Sequence, residues 1–152
     1  MLMKKFILCI LCAIAVIPAF AQLNVKSQNE RVETVGSLRS GYASLKKQGT
    51  MYFLGIRSSN QFDDDAVFVL GKTAESAALT AGDLVGLCDS LKNGESVDVQ
   101  DALGQNALIM KKSMFGAPYL DIKTERNAGT SNITKPELQK AVQLIKEDSG
   151  ME

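Results

Sequence analysis

From residue 34 onward, short runs of strand character alternate with two stretches of helical spacing. Leu38 to Leu45 and Met51 to Ile56 read as strands, the second apolar on both faces, with Lys46-Lys47-Gln48-Gly49 as the turn between them. Ala66 to Leu70 is a third apolar run after the polar loop Asn60 to Asp65. A helix follows. Thr80 has the residue type of an N-cap, with Asp83 three positions on, and Leu79 and Leu84 are spaced as a hydrophobic staple. Leu84, Leu87, Cys88 and Leu91 form its apolar stripe, and Asn93-Gly94 ends it.

The order then repeats. Ser96 to Gln100 alternates, with Val97 and Val99 on one face. Ala107 to Met110 is apolar, and Tyr119 to Lys123 alternates with Leu120 and Ile122 on one side and Tyr119, Asp121 and Lys123 on the other. After a loop containing Gly129, Thr134 and Glu137 make a capping box, Pro136 sits in the first turn, and Ile133 and Leu138 are the staple. Leu138, Ala141, Val142 and Ile145 complete the second stripe.

The two helical patterns superimpose at a constant spacing, Thr80 on Thr134 and Leu84 on Leu138, with similar strands upstream. The expectation is an α+β domain of two β-β-β-α repeats, at residues 34–94 and 95–148, with antiparallel sheets packed on two amphipathic helices.

The first 33 residues are of another kind. Lys4 and Lys5, an apolar run from Phe6 to Ile17, Pro18 and the Ala19-Phe20-Ala21 site have the form of a signal peptide over residues 1–21. The run is shorter than the ~20 residues a membrane span needs. The expected product is an exported chain, periplasmic or extracellular, with no transmembrane segment after cleavage and a flexible lead-in over 22–33.

Cleavage changes the composition. Cys9 and Cys12 leave with the signal peptide, so their C-x-x-C spacing carries no redox chemistry, and Cys88 alone remains. It suits a buried helix position; it could also pair with a second chain in a homodimer. Removing Lys4 and Lys5 from the 17 basic residues leaves 15 against 17 acidic, a net charge of −2. That lacks the basic excess of a protein that grips nucleic-acid backbone.

The chain has no histidine, which excludes Ser-His-Asp and Cys-His nucleophile systems and the usual zinc sites. Gly71-Lys72-Thr73 ends a loose phosphate-loop pattern, but Val67 to Leu70 is too β-branched and aromatic to curl around a phosphate. Ser44 and Lys47 have the spacing of some acyl enzymes without that class's other motifs. Asp63, Asp64 and Asp65 could bind a hard cation, but they lack EF-hand spacing and suit a solvated loop. No cofactor is implied, and no catalytic set.

Leu108 to Ile145, and in it Pro118 to Thr124 followed by Asn132 to Leu138, resembles the C-terminal domain of the transcriptional positive cofactor four family. The duplicated arrangement resembles the related Whirly-type fold. That resemblance implies single strands of nucleic acid bound on curved antiparallel sheets. Tyr119 would then stack a base, and Lys111, Lys112, Lys123 and Arg126 would meet phosphates. These five are the candidate binding residues; they also suit ordinary solvent-facing strand positions. The leading expectation is an exported, non-catalytic binding or structural domain with no partner named by the sequence. A single-strand binder is the alternative, and an enzyme comes third.

Overall fold

The computed structural model describes residues 31–126 and 129–152, so the expected signal peptide and the expected lead-in as far as residue 30 lie outside the described residues. Residues 32–152 form one compact unit. The elements are β1 (Val32–Arg39), β2 (Ala43–Gln48), β3 (Met51–Ile56), β4 (Ala66–Gly71), α1 (Ala74–Ser90), β5 (Ser96–Gln100), β6 (Asn106–Met114), β7 (Ala117–Thr124), β8 (Ser131–Thr134) and α2 (Lys135–Ser149). The fold is α+β. Each half is an antiparallel four-stranded meander, in order β1-β2-β3-β4 and β5-β6-β7-β8, followed by a helix. The repeated order is compatible with duplication, but each half holds four strands where three were expected.

The extra strand in the first half is β1. The run Leu38 to Leu45 is broken by a turn at 40–42, where the Tyr42 N–H donates to the Arg39 carbonyl at 2.9 Å. Strand structure therefore begins at Val32, inside the stretch expected to be lead-in. The hairpin turn also moves. Lys46, Lys47 and Gln48 stay in β2, and Gln48 pairs with Met51 across Gly49-Thr50. Gly49 has φ 60°, as the first central residue of a type II′ turn requires. The extra strand in the second half is β8, whose Ser131 and Ile133 are fully buried.

The start of α1 is the largest correction. Its N-cap is Thr73, not Thr80. The Thr73 hydroxyl accepts the Ser76 N–H at 3.2 Å, and the Ser76 hydroxyl accepts the Thr73 N–H at 3.2 Å. Thr80 lies mid-helix, and Leu79 is 66% exposed, so it staples nothing. The helices align cap on cap, Thr73 with Thr134, a spacing of 61 rather than 54. α2 starts where its pattern indicates. Glu137 Oε2 accepts the Thr134 N–H at 2.8 Å, and Ile133 and Leu138 are fully buried.

One core joins both halves. Leu45, Leu54, Ile56, Phe68 and Leu70 of the first sheet meet Ile109, Leu120, Ile122 and Ile133 of the second around Ala77, Ala81, Leu84 and Cys88 of α1 and Leu138, Ala141 and Ile145 of α2. The helices pack on each other; α1 also lies on β3 and β4, and α2 on β1. Close approach sets the α1 seat. A Cβ on Gly71 would stand 2.4 Å from the Ala77 backbone nitrogen, so only glycine fits where the helix begins.

Polar ties cross between the halves. Arg39 donates to Glu137 at 2.6 Å and 3.0 Å and to Asn132, and stacks on the Tyr42 ring at 4.4 Å. Tyr52 donates to Asp148 at 2.6 Å, and Lys47 joins the same carboxylate at 3.0 Å. That carboxylate lies below its usual range because Tyr52 and Lys47 both donate to it. Asp101 holds the β5–β6 turn against β4. Its carboxylate accepts the N–H groups of Val69, Leu103 and Gln105, and the Ala102 N–H donates to the Val69 carbonyl.

Candidate functional site

Register decides where each candidate binding residue falls. On β6 and β7, Lys112 sits opposite Tyr119, Leu108 opposite Lys123, and Lys111 opposite Leu120. Cross-strand partners share a face, so Lys112, Tyr119 and Lys123 share the outer face of the second sheet. Lys111 lies on the opposite, core-side face, at its margin. Arg126 follows the end of β7 and lines a groove over the other sheet. The five residues thus divide among three places.

The outer face of the second sheet is also less basic than its sequence. Lys112 Nζ meets Asp121 Oδ2 at 2.5 Å. Asp121 shares the outer face, as its alternation requires, yet it is buried among its neighbours. The hydrogen bond to Asp121 holds the Lys112 ammonium above its ordinary pKa, so Lys112 stays charged and is spent on a partner within the chain. Tyr119 is half-buried beside it, and Lys123 is exposed.

The outer face of the first sheet is built differently. β3 and β4 are apolar on both faces, so Phe53 and Val69 point away from the main core and are still 8% and 3% exposed. They floor a groove of about 370 Å³. Its walls keep apolar surface open to solvent, Val67 at 44% and Leu103 at 48% exposure. Gln48, Asp64, Asp65, Gln105 and Arg126 supply the polar rim. The ties at both ends combine a backbone bond with a carboxylate that accepts backbone N–H groups. The Asp101 turn fixes Leu103 and Gln105. Ser59 donates its N–H to the Thr130 carbonyl at 2.8 Å, and Asp63 accepts the Gly129 N–H, which anchors the loop carrying Asp64 and Asp65.

The other sequence candidates resolve into structure. Ser44 and Lys47 lie on opposite faces of β2, and Lys47 is paired with Asp148. Ala66–Gly71 is a strand, and Thr73 is a helix cap. Cys88 is buried, and desolvation pushes its thiol pKa up, away from thiolate reactivity. Among the described residues, no three His, Cys, Asp or Glu side chains converge to hold a metal, and no helix is long and apolar enough to cross a membrane.

The groove was missed from sequence, although a signal for it was present. A strand apolar on both faces must have its second face covered or used, and Met51 to Ile56 has that pattern. No family model, no curated protein and no solved structure matches the chain.

Proposed function

We propose that the protein is an exported, non-catalytic binding domain whose ligand seat is the groove over the first sheet. The observation that carries this reading is the combination of open apolar walls at Val67 and Leu103, an apolar floor, and a few convergent polar groups, held by loops tied through their backbones. That is the composition of a small-ligand or peptide side-chain site, and the volume falls within the usual ~300–1,000 Å³. The partly or fully buried carboxylates of Asp101, Asp121, Glu137 and Asp148 are all committed to backbone N–H groups, cations or a tyrosine, which supports a binding rather than an acid–base role.

The test uses 8-anilinonaphthalene-1-sulfonate, which offers an aromatic body to the floor and an anion to Arg126. In amide NMR spectra of the processed chain, shifts should cluster at Val67, Val69, Leu103 and Gln105 and disappear in Val67→Lys. Shifts centred on the β6–β7 strands, or unaffected by Val67→Lys, refute the groove.

Single-strand binding on a Whirly-like sheet ranks second. Exposed Lys123 and half-buried Tyr119 support it, while the pairing of Lys112 with Asp121 and the net charge of −2 expected of the processed chain weigh against it. Anisotropy titration with oligo-dT should show affinity no better than ~100 µM at physiological salt. Submicromolar binding that weakens with salt and is lost in Tyr119→Ala would reverse the ranking.

A further inference from the structure

The β6–β7 hairpin outruns its sheet. β5 pairs with β6 as far as Met110, with backbone bonds from Gly94 and Glu95 to Lys111 beyond that. β8 pairs with β7 only from Tyr119 onward. The segment from Lys112 to Pro118 is therefore a two-stranded finger. Its tip is Met114-Phe115-Gly116-Ala117, and it is apolar. Met114 is 59% exposed and Phe115 is 102% exposed.

The turn is type I′, with φ 52° at Phe115 and 81° at Gly116. Its first central position favours Asn, Asp or Gly, because a left-handed backbone crowds a larger side chain. Phenylalanine there is unfavourable twice, in backbone conformation and in exposed apolar area, and no contact among the described residues offsets either. Strain and exposure at one residue are the marks of a side chain kept for what it meets outside the molecule.

We propose that Phe115 of one copy seats in the groove over the first sheet of another copy, joining the chains head to tail. This rests on the reading of that groove as a binding site. Three features match. The groove presents an apolar floor at Phe53 and Val69 to an aromatic ring. Its rim carries Arg126, whose guanidinium can lie against that ring's face. The exposed rim carboxylates of Asp64 and Asp65 complement Lys111, four residues from Phe115 on the strand that carries the finger, which is in no ion pair among the described residues. Knob and hole are different surfaces, so the contact is heterologous, and each copy keeps one unused end for the next.

Light scattering across a concentration series tests this. The processed chain should gain mass with concentration past the dimer. Phe115→Asn and Val67→Lys should each weaken association by about tenfold or more, as loss of a central anchor does. Mixing the two variants in equal amounts is the decisive arm. The first keeps only a hole and the second only a knob, so the mixture should form a 1:1 dimer and nothing larger. A monomeric native chain, a mixture that stays monomeric, or assembly that survives Phe115→Asn overturns the proposal. Binding of the native chain, but not Phe115→Asn, to phospholipid vesicles without self-association overturns it too, and gives the tip to a lipid surface. The sulfonate titration separates the failures: groove shifts lost in Val67→Lys, without self-association, leave the binding site standing and remove only this occupant.

Discussion

The β2–β3 and β6–β7 hairpins hold the same central place in their sheets and end in opposite ways. The first turns through Gly49-Thr50, with glycine where the backbone must be left-handed, and its Thr50 hydroxyl donates to the Lys72 carbonyl at 2.8 Å. The second turns through Phe115-Gly116, and its Phe115 ring stands fully exposed. One turn is chosen for the fold and tied to it. The other spends stability on an aromatic ring in water. Since the same topology folds with a well-suited turn in the first half, the unfavourable turn in the second is not a requirement of the meander.

The helices differ in a related way. Four residues past each N-cap, α1 places Ala77 and α2 places Leu138, both fully buried. α1 lies close on β4 because Gly71 and Ala77 are small, whereas α2 fills its space with a larger side chain. Leu138→Ala should cost about 2–5 kcal/mol by leaving a cavity. The reciprocal Ala77→Leu should cost about 1–3 kcal/mol by overpacking. Chemical denaturation measures both. If either is neutral, the two seats are not as different as their side chains indicate.

The hairpin comparison sharpens at lower energy. Phe115→Asn should raise stability by about 1 kcal/mol, because Asn tolerates the left-handed turn. Gly49→Ala should lower it by about the same amount, through the same φ constraint. Urea midpoints with unchanged slopes would report both. A Phe115→Asn chain less stable than the native one would mean that the ring packs within its own molecule.

The smallest expected effect concerns the cross-tie at Tyr52. Burial, then the hydrogen bond to Asp148, pushes its phenol up to about 12 from an ordinary value of 10. A raised pKa means that the folded state holds the proton more tightly. The tie therefore contributes fully below pH 10, and its contribution is lost as pH rises through about 12. Asp148 is shifted the other way, so its contribution is present above its ordinary value of 3.8 and is lost as pH falls below it. In ultraviolet titration, one of the three tyrosines should ionise near pH 12. Asp148→Ala should bring it only part of the way back towards 10, because burial is the larger cause.

Much of this fold is legible in the residues, where pattern and length agree. β3 and β5 have the predicted bounds, β4 runs one residue past its own, and the capping box of α2 is where Thr134 and Glu137 put it. The failures share a cause. Thr80 and Asp83 mimic a helix start inside a helix, while the real cap is formed by Thr73 and Ser76, an uncommon serine version of the same exchange. β8 has only four residues and includes a buried serine, so neither its length nor its alternation stands out. The groove depends on pairing between distant segments. Leu103 and Arg126 reach the first sheet only because Asp101 and Gly129 bring their loops there. No local pattern encodes that, although the two-faced apolarity of Met51 to Ile56 points to the sheet that carries it.

The bond between Asp101 and Val69 bears on how such a protein can be divided by recombination. The outer edge of β4 is finished by backbone and carboxylate from the following half. Split between Ser90 and Ser96, the leading fragment would keep a complete sheet and a capped helix, but Val69 would be left with a bare strand edge that invites another chain. Gene fission at that linker would therefore yield two interdependent pieces rather than two modules. Fragments made together could reassemble, whereas the leading piece alone would precipitate. A chain whose order repeats is, as a heritable unit, indivisible at the point where its repeat begins.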